Sequence, residues 1–387
     1  MNVLWLGDYP HPLRGNPNRH PVPWMTMLAN GLVSGYKLAL TIMSYSSGIE
    51  EDEVFSVNGI NYIYLKVPDD KWDLLTAYNL RIYRLRTYLS TIEQTFDLVH
   101  IHGSEQQYQV IGANLAIPKV LSVQGIITEY YKILPAKPDY RHISWLVAGY
   151  YERKYLKSVR HFICRTHWDQ HHTLRLQPKA VIHHNWEPIR PEFFEPVSVN
   201  AVTAQTLLFV GGTNRIKGIR EALVAYDSLC RIMPLRFCVA GSGDKAEIMR
   251  LVESLQLSRI QPEDVEHKGF LNGVKLREAY QEAFCLIHPS YIDNSPNSVC
   301  EAQVAGLPVV ASDVGGVSSL IVHEQTGLLT TLQPHSIAEA VKTLWDNPAL
   351  HQAIAVNARR VAQSRHDKRQ ILDKTIAIYR DILSHSS

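Results

Sequence analysis

The chain is 387 residues long, enough for two domains that each bury their own core and too long for a single small module. Hydrophobic residues make up 45% and charged residues 20%, which excludes wholesale disorder. Thirty-nine basic residues against 37 acidic ones leave a net charge of +2, which excludes the basic footprint of a protein that wraps nucleic acid. Histidine (18) and tyrosine (19) are concentrated in the first half. Cys164, Cys230, Cys238, Cys285 and Cys300 are scattered without a CxxC pair and read as reduced, buried thiols. Residues 1–7 lack the basic and long apolar regions of a secretory signal and read as a first strand. With no run approaching the ~18 apolar residues of a membrane span, a cytoplasmic chain is expected.

Short β-rich runs alternate with helical stretches through the first half. Strands are predicted over 2–6, 38–43, 60–65, 97–101, 119–123 and 161–164, with helices over 24–33 and 78–92 among them. Strands separated by helices imply βαβ units and a parallel sheet covered on both faces. Pro188, Pro191 and Pro196 then break the pattern, and the weakly patterned stretch to Gln205 reads as a linker. The same grammar restarts with strands over 206–210, 235–240, 265–269, 284–288 and 308–312, and helices over 217–232 and 246–256. Near the end, Ser336 and Glu339 suggest a capping box before a helix over 337–345. A last amphipathic helix over 368–384 is expected to pack on the second domain. The division expected is residues 1–190, residues 205–365 and a terminal helical segment 366–387.

The chemistry concentrates after the predicted strand 284–288. A polar loop crosses to a helix, with Ser295 as the expected N-cap and Pro296 at the first helical position. The amides of Asn297, Ser298 and Val299 would then be free to hold a phosphate or diphosphate, in the crevice beyond the strand ends where open α/β sheets bind ligands. Asp293 and Glu301 bracket this turn. They suit gripping hydroxyls at two ends of a sugar nucleotide; a turn-capping Asp and a solvated helix Glu are the plain alternative.

The run from Asp293 to Gly316 resembles the donor-binding signature of glycosyltransferase family 4: an acidic residue, seven others, a Glu, then a GxPVVAS segment and a Gly-Gly pair. The resemblance extends downstream to Thr326-Gly327-Leu328-Leu329 and upstream to Val210-Gly211-Gly212-Thr213-Asn214-Arg215-Ile216-Lys217-Gly218, and continues more weakly through the first half. It implies the α/β GT-B fold: two Rossmann-like, doubly wound domains facing across a cleft, the first for acceptor and the second for a nucleotide sugar. It also implies that Lys217 and Arg215 supply cations to the donor diphosphate, stabilising charge as it develops on the leaving group. The family's usual Arg lies five residues before that Lys, where this chain has Gly212. Asn294 and Ser295, with Asn297 and Ser298, line the phosphate turn; Asp293 would touch sugar hydroxyls, Glu301 the ribose, and Phe270 the base.

In the first half, residues 10–20 take the place of the family's glycine-rich acceptor loop, and His102 and Gln124 end two strands beside it. The family commonly has His where Gln124 stands. Either a hydrogen-bond donor suffices there, or His102 or Glu105 takes over, or the chain binds without turnover. No cofactor is implied, and no metal: the histidines 167, 171, 172, 183 and 184 lack a completing acid or cysteine, so polar contacts are expected of them. The aromatic and basic stretch 130–155 suits either an interfacial helix or a surface helix whose tyrosines pack inward. With a lipid-linked acceptor, it is where the chain would make peripheral contact with the inner membrane face.

The function expected is a retaining, metal-independent hexosyltransferase. It would move a sugar from a nucleoside diphosphate sugar to a hydroxyl of a saccharide or lipid-linked acceptor, in polysaccharide or cell-envelope biosynthesis. A sugar-nucleotide epimerase of the same fold and a non-catalytic sugar-nucleotide-binding subunit remain alternatives.

Overall fold

The computed structural model describes residues 1–14, 22–135, 139–195 and 205–385. The chain divides into two compact units, Met1–Pro188 with Lys368–Ser387, and Ile189–Asp367. Residues 196–204 of the expected linker and 15–20 of the expected acceptor loop lie outside the described residues.

The first unit is built on an eight-stranded sheet. In chain order its strands are β1 (Asn2–Gly7), β2 (Ala39–Ser46), β3 (Glu53–Val57), β4 (Ile60–Lys66), β5 (Leu98–His102), β6 (Lys119–Ser122), β7 (His161–Cys164) and β8 (Val181–His184). Their order across the sheet is β3-β4-β2-β1-β5-β6-β7-β8. All neighbours run parallel except β3 and β4. Successive residues of β1 point to opposite faces. Val3 and Trp5 join one core with the helix Pro23–Tyr36 and the terminal helix Lys368–Ser384, while Leu4 and Leu6 join another with Leu85, Tyr108 and Leu156. Burial on both faces is why the strand reads as an unbroken apolar run.

Strands β3 and β8 were not expected. Asn58-Gly59, with φ of 53° and 78°, turns β3 into β4 as a two-residue hairpin, a connection for which Asn-Gly is a strong local signal. The terminal helix also departs from expectation, because it packs on the first unit. There the Trp5 indole N–H donates to the Tyr379 hydroxyl at 3.1 Å, and His100 Nδ1 lies 2.6 Å from the same oxygen. His100 Nε2 continues the chain to the Ser122 hydroxyl at 2.7 Å. Burial holds His100 neutral, so one ring nitrogen accepts and the other donates. Tyr379→Phe is expected to cost about 2 kcal/mol in urea unfolding, because it strands two buried polar nitrogens. Unchanged stability would show that the network contributes nothing.

The second unit has a fully parallel six-stranded sheet of β9 (Thr206–Val210), β10 (Arg236–Ala240), β11 (Val265–Gly269), β12 (Ala283–His288), β13 (Val309–Ser312) and β14 (Leu328–Thr330). The order β11-β10-β9-β12-β13-β14 is that of a doubly wound dinucleotide-binding sheet, with its switch point between β9 and β12. Phe209, Phe237 and Tyr226 centre one of its cores. The expected capping box near Ser336 is absent: the helix runs Pro334–Asp346 with Gln333 at its N-cap and no side-chain capping bond. Pro334, preset for a first helical position, starts it two residues before Ser336.

Candidate functional site

At the switch point of the second sheet, the loops leaving β9 and β12 meet. The β9 loop turns through Gly211-Gly212 and a short 3-10 helix, Arg215–Lys217, before the helix Ile219–Leu229. The β12 loop ends at the helix Asn297–Ala305. Lys217 Nζ donates to Asp293 Oδ2 at 2.5 Å, and His288 Nε2, at the end of β12, lies 3.3 Å from the same oxygen. Burial pushes the Asp293 carboxyl up, but Lys217 and His288 outweigh it and hold the group well below the usual carboxylate range. Burial pushes the His288 imidazole down. The pair is therefore a fixed carboxylate beside a half-buried ammonium, in the loop that leads to the helix Asn297–Ala305.

The turn itself differs from expectation by one residue. Helix 297–305 begins at Asn297 with Pro296 in the N-cap position and no side-chain cap, so Ser295 is not the N-cap. The Val299 amide donates to the Pro296 carbonyl at 3.1 Å. Its hydrogen bond is spent, which leaves the Asn297 and Ser298 amides as the pair without intrahelical partners at this helix start. Asn294 is buried, while Asn297, Ser298 and Ser295 are half-buried at the same turn.

One turn into that helix, Glu301 is buried, which excludes the plain reading of a solvated residue. Its Oε1 accepts from Arg190 Nη2 at 2.9 Å and Nε at 3.2 Å, and the Tyr280 hydroxyl lies 3.5 Å from Oε2. Burial pushes the Glu301 carboxyl up to about 6, against the lowering influence of Arg190. Gly212, with φ of 58°, is explained by backbone packing: a Cβ there would lie 2.3 Å from the Ser242 amide nitrogen. Arg215 and Phe270 are exposed.

In the first unit, His102 ends β5 and is buried. It stacks on His100 at 3.9 Å between ring centroids and packs at a tilt against Trp5 at 4.3 Å. Burial pushes its imidazole down to about 3, so it is neutral at physiological pH. Its Nε2 has no hydrogen-bond partner among the described residues, and the ring lines a cavity of about 20 Å³ with Trp24, Ser122 and Glu187. The Gln124 amide donates to Glu187 Oε1 at 2.7 Å, and Arg165 clamps the other Glu187 oxygen at 2.5 Å. In the loop after β1, His11 pairs with Glu53 at 2.9 Å. Among the described residues, no three His, Cys, Asp or Glu side chains converge to hold a metal ion.

Glu105 stands beside Gln124. Its carboxyl fills the space that Cβ atoms on Gly103 and Gly125 would occupy, 2.2 and 3.0 Å from its oxygens. Burial pushes it up to about 7, against the hydrogen bonds from its own amide and from Gly125. A raised carboxyl means that the folded chain holds this proton more tightly than the unfolded one. Its contribution is thus fully present below the unfolded value near pH 4.5 and is lost as pH rises through about 7. Glu105→Gln is expected to gain about 1–3 kcal/mol relative to the parent between about pH 5 and 8. Parallel stability curves for the two proteins over that range would contradict it.

Residues 192–361 match the family "Glycosyl transferases group 1". The matched residues lie within the second unit. Over 91% of this chain, and 92% of the relative, the sequence is 24% identical to an uncharacterised glycosyltransferase of Methanocaldococcus jannaschii. Among solved structures, sucrose-phosphate synthase from Thermosynechococcus elongatus matches with a TM-score of 0.81 at 17% identity, covering 100% of both chains. Anabaena HepE, solved in complex with UDP-glucose, matches at 0.70 and 14% identity, also over 100% of both chains. These structural neighbours are GT-B glycosyltransferases, and the two parallel-sheet α/β units have that fold.

Sequence reasoning missed Arg190 and His288 as members of the site. His288 had a legible signal, a polar residue closing an apolar strand. Arg190 had none, because its partner Glu301 lies 111 residues away.

Proposed function

We propose that this chain is a retaining, metal-independent glycosyltransferase of family 4. It moves a hexose from a nucleoside diphosphate sugar to a hydroxyl of a saccharide or glycolipid, in polysaccharide or cell-envelope assembly. The observation that carries this reading is the meeting of Lys217, Asp293 and the Asn297–Ser298 amides at the switch point of the second sheet. Such a site suits a diphosphate, with a cation and helix amides aimed at its charge. Asp293 contacts sugar hydroxyls and Glu301 the ribose. The bond from the anomeric carbon to the diphosphate oxygen breaks as the acceptor oxygen bonds on the same face. The departing diphosphate takes the hydroxyl proton, so no strong protein base is needed. Gln124 and neutral His102 then serve as hydrogen-bonding groups. HepE, solved with UDP-glucose, adds support for a nucleotide sugar as partner.

The test is a panel of nucleoside diphosphate sugars screened by thermal shift, since a bound donor stabilises by mass action. It is followed by an assay for released nucleoside diphosphate with and without saccharide acceptors. Binding with slow release that acceptors accelerate is expected. Binding without any release makes the chain a sugar-nucleotide-binding subunit, and no binding to any donor removes the reading altogether.

A further inference from the structure

The stretch 130–155 left two readings open, and its helix shows which side chains face out. In the helix Tyr140–Tyr155, Tyr151 and Ala148 are buried, whereas Tyr140 (42% exposed), Ile143 (54%), Leu146 (52%) and Tyr150 (52%) point to solvent. At 100° per residue these four positions fall within a stripe about 120° wide. This face continues across a neighbouring corner. The Tyr78 hydroxyl lies 2.7 Å from the Ser144 hydroxyl, and the Tyr151 hydroxyl donates to the Ala77 carbonyl at 2.7 Å. Those bonds fasten the helix to the turn between helices Asp70–Leu74 and Asn79–Leu89. On that corner Trp72 is 71% exposed, Leu75 77%, Leu80 49% and Tyr83 74%. Eight of the 18 exposed large hydrophobic residues among those described thus gather in two adjoining segments, while Tyr78, Ile82, Val110 and Tyr151 form a separate buried cluster beneath. An apolar gathering of this kind on an otherwise polar surface marks an interaction site.

The charges choose the occupant. Across the two segments Lys71, Arg84, Arg141, Arg153, Lys154, Lys157 and Arg160 are exposed, against the exposed acids Asp69, Asp70 and Asp139. Glu152 is buried and spent on the Ser104 hydroxyl and the amides of Ile127 and Thr128. Arg153 borders the apolar stripe and Lys154 continues it at the C-terminal end of the helix, and aromatic rings supply half of it. Rings with one apolar and one polar end favour the headgroup level of a bilayer, and cations beside them favour anionic lipid. No helix among the described residues is long and apolar enough to cross a membrane, so the contact would be superficial. We infer that this aromatic and basic face of the first unit docks on the surface of an anionic lipid bilayer.

The inference is independent of the donor chemistry, since binding to lipid needs no nucleotide sugar. The full chain is sedimented with vesicles of phosphatidylcholine alone and with vesicles of phosphatidylcholine and phosphatidylglycerol in equal parts. Binding to the mixed vesicles is expected, at least ~10-fold weaker on the zwitterionic ones and weakened by salt. Ile143→Glu with Leu146→Glu, and separately Arg153→Glu with Lys154→Glu, are each expected to reduce it by ~10-fold or more. Melting temperatures should be unchanged, because these side chains face solvent. Equal binding to both vesicle types, or variants that bind as the parent does, overturns the inference. So does a chain that ignores vesicles but self-associates until Ile143 and Leu146 are made acidic, which would assign the face to a second copy.

Discussion

Lys217→Ala is expected to lower kcat/KM for sugar transfer by roughly 10²–10³-fold, the usual cost of removing one preorganised group that stabilises charge developing in a transition state. Lys217 is suited to that role because Asp293 holds it at 2.5 Å, and Asp293 is held in turn by its place between β12 and the helix Asn297–Ala305. The substitution also has a structural cost. Asp293 is 8% exposed, and without its cation it becomes a buried carboxylate with only a neutral imidazole beside it. About 1–3 kcal/mol of stability is expected to go at neutral pH. The sign follows from the depressed carboxyl: its contribution is present above the unfolded value and lost as pH falls, so the deficit of the variant shrinks in acid. The double variant Lys217→Ala with Asp293→Asn separates the two effects. Stability should return toward that of the parent and transfer should not. Full transfer activity in either variant would remove Lys217 from the reaction.

Gly315→Ala is expected to damage both fold and site. Gly315 has φ of 57°, and a Cβ there would lie 1.9 Å from the Asp293 carbonyl oxygen and 3.1 Å from its nitrogen. Those are backbone atoms, so no side-chain rotation relieves the overlap. The adjacent Gly316 amide donates to that same carbonyl at 2.8 Å, which ties the glycine turn after β13 to the loop carrying Asp293. A loss of roughly 3 kcal/mol in urea unfolding is expected from strain and overlap together. Displacing Asp293 by about 1 Å is expected to cost a further ~10²-fold in transfer. Gly269→Ala is the control. Its φ of 65° carries the same backbone penalty, but no atom stands within 4 Å of the added Cβ. It should cost about 1 kcal/mol and leave transfer intact. Equal effects at both glycines would mean that the contact with Asp293 is unimportant.

Much of this site was legible beforehand because it is local. The spacing from Asp293 to Glu301, the glycine turn at 315–316 and the Lys217-Gly218 pair lie within short runs whose residue types carry their own meaning. Some local signals were present and not used: Asn58-Gly59 marks the β3–β4 hairpin, and Pro334 marks the start of its helix better than Ser336 does. The N-cap before Asn297 went to Pro296 rather than Ser295, since placing a helix start to within one residue depends on hydrogen bonds such as Val299 to Pro296.

Composition, alternation and motif spacing by themselves determined the two α/β halves, nearly all the central strands and the loop from β12 to the helix Asn297–Ala305. Only the tertiary structure decided which of those groups are charged, paired or buried. Lys217 meets Asp293 across 76 residues, Arg190 meets Glu301 across 111, and Trp5 meets Tyr379 across 374. Periodicity reports which face of an element is apolar, but not which distant element will cover it. The terminal helix carried an apolar stripe and was expected on the second domain; the buried hydroxyl of Tyr379, matched to Trp5 and His100, placed it on the first. Glu301 likewise reads as an ordinary helix residue until burial removes its water and leaves Arg190 to balance its charge.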